Sequence, residues 1–228
     1  MSRKEQFNTN PFLSLQDLSI FYDFKYDPIK DYLNHTHGLI QVVEQDVKEK
    51  IQKWDQEKDS DPEIPDGFDI YEHEVISTGE FRSLLNNSMF LTIYSLFENE
   101  FVTLCEYAGR IQGSLLHPKE LSGQNYIDQC RRFIVKELEV NLDSLNSEWE
   151  EITKFQTLRN SLAHNNGVLK DKSDKYLESI KNINGLSVDE KTLKIKIKND
   201  EFLISLIDKL VKFLNSIIEK IIEQKVYK

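Results

Sequence analysis

The sequence predicts an all-α fold, a helical bundle that carries one small β-hairpin before its last helix. Three observations support this prediction. Only eight glycines and five prolines interrupt the 228 residues, which favours long helices. Apolar residues recur three or four positions apart along most of the chain, as on the buried face of a helix. Apolar and polar residues alternate over a short stretch at 186–198, which is typical of a hairpin.

The N-terminal part of the chain predicts two helices that are separated at a proline. A short helix covers residues 11–25. Asp27 and Pro28 then predict the N-cap and the first position of a second helix, which runs to about residue 58. A loop rich in Asp, Pro and Gly follows at 59–67. We expect residues 1–66 to form an N-terminal helical extension and residues 67–228 to form the main bundle.

The remaining part of the chain predicts the main bundle. Phe90, Phe97 and Phe101 belong to a strong apolar stripe at helical spacing. Asn146 or Ser147 predicts the N-cap of a later helix. The predicted helices cover about 68–111, 125–138, 146–165, 171–181 and 200–224, and the hairpin lies at 186–198. This order of elements is that of a helical bundle with one inserted hairpin.

Composition limits the class of protein. Hydrophobic residues make up 39% and charged residues 30%, as in a folded globular protein. The longest apolar run, residues 89–97, is too short to cross a membrane, and the N-terminus carries no apolar signal core. Cys105 and Cys130 lie on apolar helix faces without metal-ligand spacing, which predicts buried free thiols. We therefore expect a cytoplasmic protein with no membrane partner.

The net charge of −10 restricts any interaction with nucleic acid. Broad electrostatic binding to phosphates needs a basic surface, which this composition does not supply. A nucleic-acid enzyme of this charge needs a local basic cleft and a restricted substrate.

Residues 159–164 are the most informative stretch of the chain. At about 100° per residue, Asn160 and His164 share one face of the helix, whereas Arg159 falls between the apolar residues Phe155 and Ile152. Burying a lone guanidinium costs several kcal/mol. We therefore expect Arg159 to meet a carboxylate, a second subunit or a cleft that holds anions.

The residue types in this stretch suit chemistry at a phosphodiester. Arg159 offers a permanent cation for a phosphate, and His164 offers a group that exchanges protons near neutral pH. Residues 165–167, Asn-Asn-Gly, predict a left-handed helix stop, which places His164 in the last turn. The pair supports metal-independent RNA cleavage, in which the ribose 2′-hydroxyl attacks the adjacent phosphate. Asn160 orients the histidine or holds the phosphate.

The motif in its helical setting resembles the HEPN superfamily, whose signature is Arg, a polar residue that is often Asn, three variable positions and His. The stretch 94–101 is similar to the acidic, aromatic-flanked helix of many members. The resemblance covers about residues 81–228. It implies a HEPN-like bundle and a metal-independent endoribonuclease without cofactor. It also implies a homodimer, and a role in toxin–antitoxin systems or antiviral defence with an antitoxin or defence partner.

By this resemblance, catalysis falls to Arg159 and His164, with Asn160 in support. Some family toxins carry a tyrosine two residues after the histidine that a partner enzyme modifies. Here that residue is Asn166, so we do not expect this mode of control. The family also contains members that only bind. The alternative function is therefore a non-catalytic module that binds RNA, a nucleotide or another protein.

Further candidates surround the motif in sequence. Glu98 is a candidate catalytic residue that positions Arg159 or His164; alternatively it is a surface carboxylate, or Glu100 takes that part. The candidate RNA-binding residues are Arg131, Arg132, Lys154 and Lys170, and the hairpin lysines 194, 196 and 198 are a similar case. Solvated surface positions are the alternative for all of these cations. His35 and His37 point to different helix faces, so we predict no metal site there.

Overall fold

A computed structural model describes residues 15–58, 63–123, 125–165, 167–169 and 174–226 of the chain. Its regular elements are α1 (Leu15–Glu57), α2 (Gly67–Ile70), α3 (Glu72–Gln112), α4 (Tyr126–Arg132), α5 (Asn146–His164), α6 (Asp174–Lys181), β1 (Leu186–Val188), β2 (Ile195–Ile197) and α7 (Asp200–Ile221). Short 3₁₀ or π turns lie at Pro118–Glu120, Phe133–Glu137, Asp143–Leu145 and Ile222–Val226. The predicted all-α fold with a small hairpin before the last helix is confirmed. None of the helices within these ranges has the length and apolar character that crossing a bilayer demands.

Helix α1 is continuous, so the predicted break at Asp27 and Pro28 is wrong. The helix runs for 43 residues with Pro28 in its interior. A proline there removes one helical hydrogen bond and costs about 3 kcal/mol. Tyr26 on one side and Leu33 on the other are buried, and their burial offsets that cost. Phe24, whose carbonyl loses its helical partner, is exposed, so water can satisfy the carbonyl.

Helix α4 begins where the sequence predicts but ends earlier. Asn125 is its N-cap, and the Asn125 Oδ1 accepts a hydrogen bond from the Asp128 N–H at 2.9 Å. The chain then widens into the π turn, in which the Leu138 N–H donates to the Phe133 carbonyl at 3.1 Å. Glu139 follows in the left-handed region with φ of 51°. The predicted helix at 125–138 is thus a short α-helix joined to a π turn.

The chain divides into two compact units. The first unit comprises Met1–Asp27, Tyr94–Thr153 and Ile207–Lys228, and the second unit comprises Pro28–Ile93 and Lys154–Leu206. Helices α1, α3, α5 and α7 each contribute residues to both units, because the unit boundaries fall inside them. The boundary predicted at residue 66 stays a prediction.

Aromatic side chains form the core of the first unit. Phe213 contacts Phe101 edge to face at 5.8 Å between ring centroids and Phe97 at 6.2 Å. Cys105 and Cys130 are buried free thiols, as predicted, and the Cys105 Sγ donates to the Cys130 carbonyl at 3.7 Å.

A buried carboxylate lies in the same unit. The Glu100 side chain is almost fully buried and accepts a hydrogen bond from the Lys25 Nζ at 2.6 Å. The hydroxyl groups of Tyr22 and Tyr26 are also buried, and neither has a hydrogen-bond partner among the described residues. Burial, and secondly the negative charge of Glu100, raise the pKa of both tyrosines.

The core of the second unit joins helices to the hairpin. Phe202 stacks on Phe90 at 6.1 Å and meets the edge of Phe155 at 6.3 Å. The hairpin is antiparallel and pairs Leu186–Val188 with Ile195–Ile197. The Asn86 Nδ2 of α3 donates to the Ile197 carbonyl at 3.1 Å, which fixes the hairpin to the helix.

A polar network in the second unit joins α1 to α3. The Arg82 guanidinium makes a two-pronged ion pair with Glu44, with distances of 2.9 Å and 2.8 Å. The Arg82 Nη1 also lies 3.4 Å from the Nδ1 of His37, which is buried, whereas His35 is exposed. The two histidines therefore point to different faces, as predicted.

Candidate functional site

Helix α5 presents the predicted motif at its C-terminal end. Its buried face consists of Ile152, Phe155, Leu158 and Leu162. Asn160 and His164 are exposed, and Arg159 is half-buried at the edge of the apolar face. The motif side chains therefore lie on the faces that the helical projection predicts.

Arg159 and His164 point in different directions from the helix axis. Five residues of separation place their Cα–Cβ bonds about 140° apart. The Arg159 side chain does not extend straight out, because its Nη1 donates a hydrogen bond to the Asn160 Oδ1 at 3.2 Å. Asn160 shares its face with His164, so this bond turns the cation toward the histidine side of the helix.

The end of the helix is held by backbone hydrogen bonds. The Ser161 carbonyl accepts from the Asn165 N–H at 3.1 Å and from the Gly167 N–H at 3.0 Å. Gly167 has φ of 76°, in the left-handed region that favours glycine. The predicted helix stop is therefore observed at Gly167, although Asn166 lies outside the described residues. This closure determines the backbone position of His164.

The segment after the motif pairs with the hairpin. The Gly167 carbonyl accepts from the Ile195 N–H at 2.8 Å, and the Leu169 N–H donates to the Leu193 carbonyl at 3.0 Å. Val168 lies opposite Lys194 as an antiparallel bridge. No local signal in the sequence predicts this pairing, because it joins segments that are distant along the chain. It brings the hairpin to the end of α5.

The candidate acidic partner of the motif belongs to the other unit. Glu98 is half-buried and lies in the first unit, as does Glu100, whereas Arg159 and His164 lie in the second unit. Glu100, the alternative candidate, forms the ion pair with Lys25. The role of Glu98 stays a prediction.

Two of the candidate RNA-binding cations lie in the first unit and are engaged by neighbours. The Arg131 guanidinium stacks 4.8 Å from the centroid of the Trp149 ring and donates to the Asn146 Oδ1 at 2.5 Å. Burial lowers the pKa of Arg131. Arg132 forms an ion pair with Asp128 at 2.9 Å. Contacts to RNA phosphates therefore compete with these interactions.

Arg131 and Arg132 line a cavity of about 560 Å³. Lys136 adds a third cation to its wall, and Val140 and Leu142 add apolar surface. The carboxylates of its wall are Asp128, Glu139 and Asp143. The volume is within the range of small-molecule sites, about 300–1,000 Å³. The sequence reveals the basic cluster but not the cavity, which depends on the π turn.

The other two candidate cations, Lys154 and Lys170, lie close to the motif in the sequence. Lys154 is half-buried on α5 in the second unit. Lys170 lies outside the described residues. The part of the chain that the structure describes contains no group of three or more His, Cys, Asp or Glu side chains placed to hold a metal ion.

The end of α5 thus combines a permanent cation, an amide and an imidazole. This set can bind a phosphate and exchange a proton beside it. In comparisons with known proteins, no family model, no curated protein and no solved structure matches this chain.

Proposed function

We propose that this chain is a metal-independent endoribonuclease of the HEPN type. It acts in the cytoplasm as a toxin or antiviral-defence effector and cleaves RNA through attack of the ribose 2′-hydroxyl on the adjacent phosphate. The observation that carries the proposal is the hydrogen bond from Arg159 to Asn160, which directs a half-buried cation toward the face of His164.

Each motif residue has one role in this reaction. The imidazole of His164 takes the proton of the 2′-hydroxyl as the 2′-oxygen bonds to phosphorus. The bond between phosphorus and the 5′-oxygen breaks, the departing 5′-oxygen takes a proton from water, and the imidazolium returns its proton to the solvent. The Arg159 guanidinium holds the phosphate and stabilises the extra negative charge of the transition state. Asn160 holds the guanidinium in place. The products are a 2′,3′-cyclic phosphate and a free 5′-hydroxyl.

We further propose that two copies of the chain act together. The Cα–Cβ bonds of Arg159 and His164 on one helix diverge by about 140°, and the hydrogen bond to Asn160 closes this angle only in part, so a second copy completes a site in which the phosphate meets both groups. The second unit exposes large apolar side chains that suit such an interface: Leu39, Val42, Ile76, Phe81 and Leu84. Light scattering over a range of protein concentrations tests this state directly.

The central experiment measures cleavage of labelled RNA in the presence of a chelator. We expect the wild type to cut, and His164→Ala to lower the rate by about 10²–10⁴-fold because the proton acceptor is lost. His73→Ala is the matched control, since His73 is exposed on α3 outside the motif. Intact RNA with the wild-type protein, or equal rates for wild type and His164→Ala, would show that the nuclease proposal is wrong.

The second candidate is a module that binds a nucleotide or RNA without cutting it. The observation that favours it is the cavity beside α4, whose wall combines three cations and three carboxylates with apolar surface. In that case the protein binds nucleotides, Arg131→Ala weakens the binding, and His164→Ala changes neither binding nor RNA integrity. The same cleavage assay therefore separates the two candidates.

A further inference from the structure

Three lysines form one face of the hairpin, which we call the lysine face: Lys194, Lys196 and Lys198. They alternate along the chain with Ile195 and Ile197, which are buried. Because successive side chains of a strand point to opposite sides, the lysines share the outer side. Lys196 and Lys198 are exposed, and none of the three forms a salt bridge with a carboxylate of the described residues.

The lysine face begins close to the proposed catalytic histidine. The two hydrogen bonds that flank Val168 and Lys194 make them a non-hydrogen-bonded antiparallel pair, whose side chains lie on one side and close together. Val168 is four positions after His164, so their Cα atoms are at most about 14 Å apart. A strand of a few nucleotides spans this distance.

The charges near the lysine face favour an anion. Asp189 is the carboxylate opposite Lys194, and its Oδ1 accepts from the N–H groups of Lys191 at 2.9 Å and Thr192 at 2.8 Å. Glu190 is held by Lys181 at 2.6 Å. Both carboxylates of the hairpin turn are therefore engaged by neighbouring groups, and residues 191–198 carry four lysines and no carboxylate. This local excess contrasts with the net charge of −10 of the whole chain.

We propose that the lysine face binds the phosphates of the RNA strand on one side of the cleavage point. The proposal rests on the proposed nuclease function and assigns to it the surface that holds the substrate. A regular row of like charges matches the repeating charge of a nucleic-acid backbone. Hydrogen bonds between the hairpin and the loop after His164 hold this row in a constant position relative to the histidine.

The test measures binding separately from cleavage. Every variant carries His164→Ala, and its affinity for a labelled single-stranded RNA is measured by fluorescence anisotropy at several salt concentrations. The test variant replaces the three lysines of the lysine face with Gln. The control variant replaces three exposed lysines of α1 and α7, at positions 48, 53 and 212, so that the net charge is the same. A third variant carries Arg at all three positions of the lysine face.

We expect the test variant to bind at least tenfold more weakly than the control variant at low salt. The slope of log affinity against log salt should fall by about 2, because each phosphate contact on a single strand contributes about 0.7. The Arg variant should retain the affinity and slope of its parent. If the test variant does not fold, the single change Lys196→Glu, at an exposed position, replaces it. We expect this variant to bind RNA at least threefold more weakly than its parent.

Two results overturn the proposal. One is an equal affinity and salt slope for the test and control variants. The other is a parent protein that binds an acidic peptide but not RNA, which assigns the lysine face to a protein partner. The nuclease function is judged separately by the wild-type cleavage assay. If the wild type leaves RNA intact but the test variant shows the expected loss in the salt slope of binding, the nuclease function is rejected and the lysine face is kept as an RNA-binding surface.

Discussion

The guanidinium of Arg159 and the side-chain amide of Asn160 are joined by a hydrogen bond of 3.2 Å between Nη1 and Oδ1. Adjacent residues of a helix normally point about 100° apart, and this bond reduces the separation at the tips of the two side chains. Asn160, the second residue of the motif, therefore orients the guanidinium of Arg159 toward the exposed face of the helix.

The first prediction concerns the orientation of Arg159 by Asn160. We expect Asn160→Ala to lower the RNA cleavage rate about tenfold, equivalent to about 1.4 kcal/mol, because the guanidinium loses its anchor. Asn160 is exposed, so the free energy of unfolding should change by less than about 0.5 kcal/mol. Initial rates and urea unfolding measure the two effects. The control is Thr157→Ala, another exposed position of α5, and equal rates for both variants would contradict the assigned task.

The second prediction concerns the end of α5. Gly167 has φ of 76°, so Gly167→Ala should cost about 1–2 kcal/mol of stability. The added Cβ would also lie 3.4 Å from the Leu162 Cδ2. Gly38→Ala is the opposite case, because Gly38 lies inside α1 with no atom within 4 Å of an added Cβ. It should stabilise the protein by about 0.5–1 kcal/mol. Chemical unfolding measures both variants. The prediction requires that Gly167→Ala lowers the free energy of unfolding and that Gly38→Ala raises it.

The third prediction concerns the buried tyrosines of the first unit. Burial raises the pKa of Tyr22 and Tyr26, so above about pH 10 the unfolded chain loses phenolic protons that the folded protein keeps. Stability should therefore fall as the pH rises above 10, with a slope of up to about 1.4 kcal/mol per pH unit for each tyrosine. Tyr22→Phe with Tyr26→Phe should remove this slope.

At neutral pH the same double change should be nearly neutral or stabilising, because neither hydroxyl has a hydrogen-bond partner among the described residues. Tyr32→Phe is the control, since Tyr32 is exposed. Urea unfolding at pH 7 and between pH 10 and about 11.5 measures both effects. A double variant with an unchanged alkaline slope would show that these hydroxyls do not set it.

The fourth prediction concerns His37. Burial lowers its pKa, Asp200 and Glu44 act in the opposite direction, and Arg82 adds to the lowering. Below about pH 6.5 the unfolded chain therefore binds a proton that the folded protein resists. Stability should fall as the pH drops below that value, by up to about 1.4 kcal/mol per pH unit.

His37→Gln should reduce this acid slope, whatever its effect on stability at pH 7.5. His73→Ala, at an exposed position, should leave the slope unchanged. Thermal or urea unfolding between pH 5 and 7.5 provides the comparison. The assignment fails if the two variants show the same dependence on pH as the wild type.

Local signals were sufficient for much of the fold. The start of a helix near residue 125, the hairpin around residues 186–198 and the stop at Gly167 were predicted from the sequence, because each depends on neighbouring residues. The N-cap predicted at Asn146 or Ser147 was wrong, because Asn146 is itself helical and follows a 3₁₀ turn. The faces of α5 follow from helical periodicity alone. The prediction failed at Pro28, where burial of Tyr26 and Leu33 outweighs the local cost of a proline inside a helix.

In the candidate site, too, some features could be predicted from the sequence and others could not. The sequence by itself determined the motif, its position in the last turn of a helix and the shared face of Asn160 and His164, since these depend on a repeat of 3.6 residues. Only the tertiary structure decided that Gly167 pairs with Ile195 and that the lysine face stands beside the end of α5. Such pairings depend on how distant segments pack, here with Ile195 and Leu169 both buried, and no local pattern in the sequence carries that information.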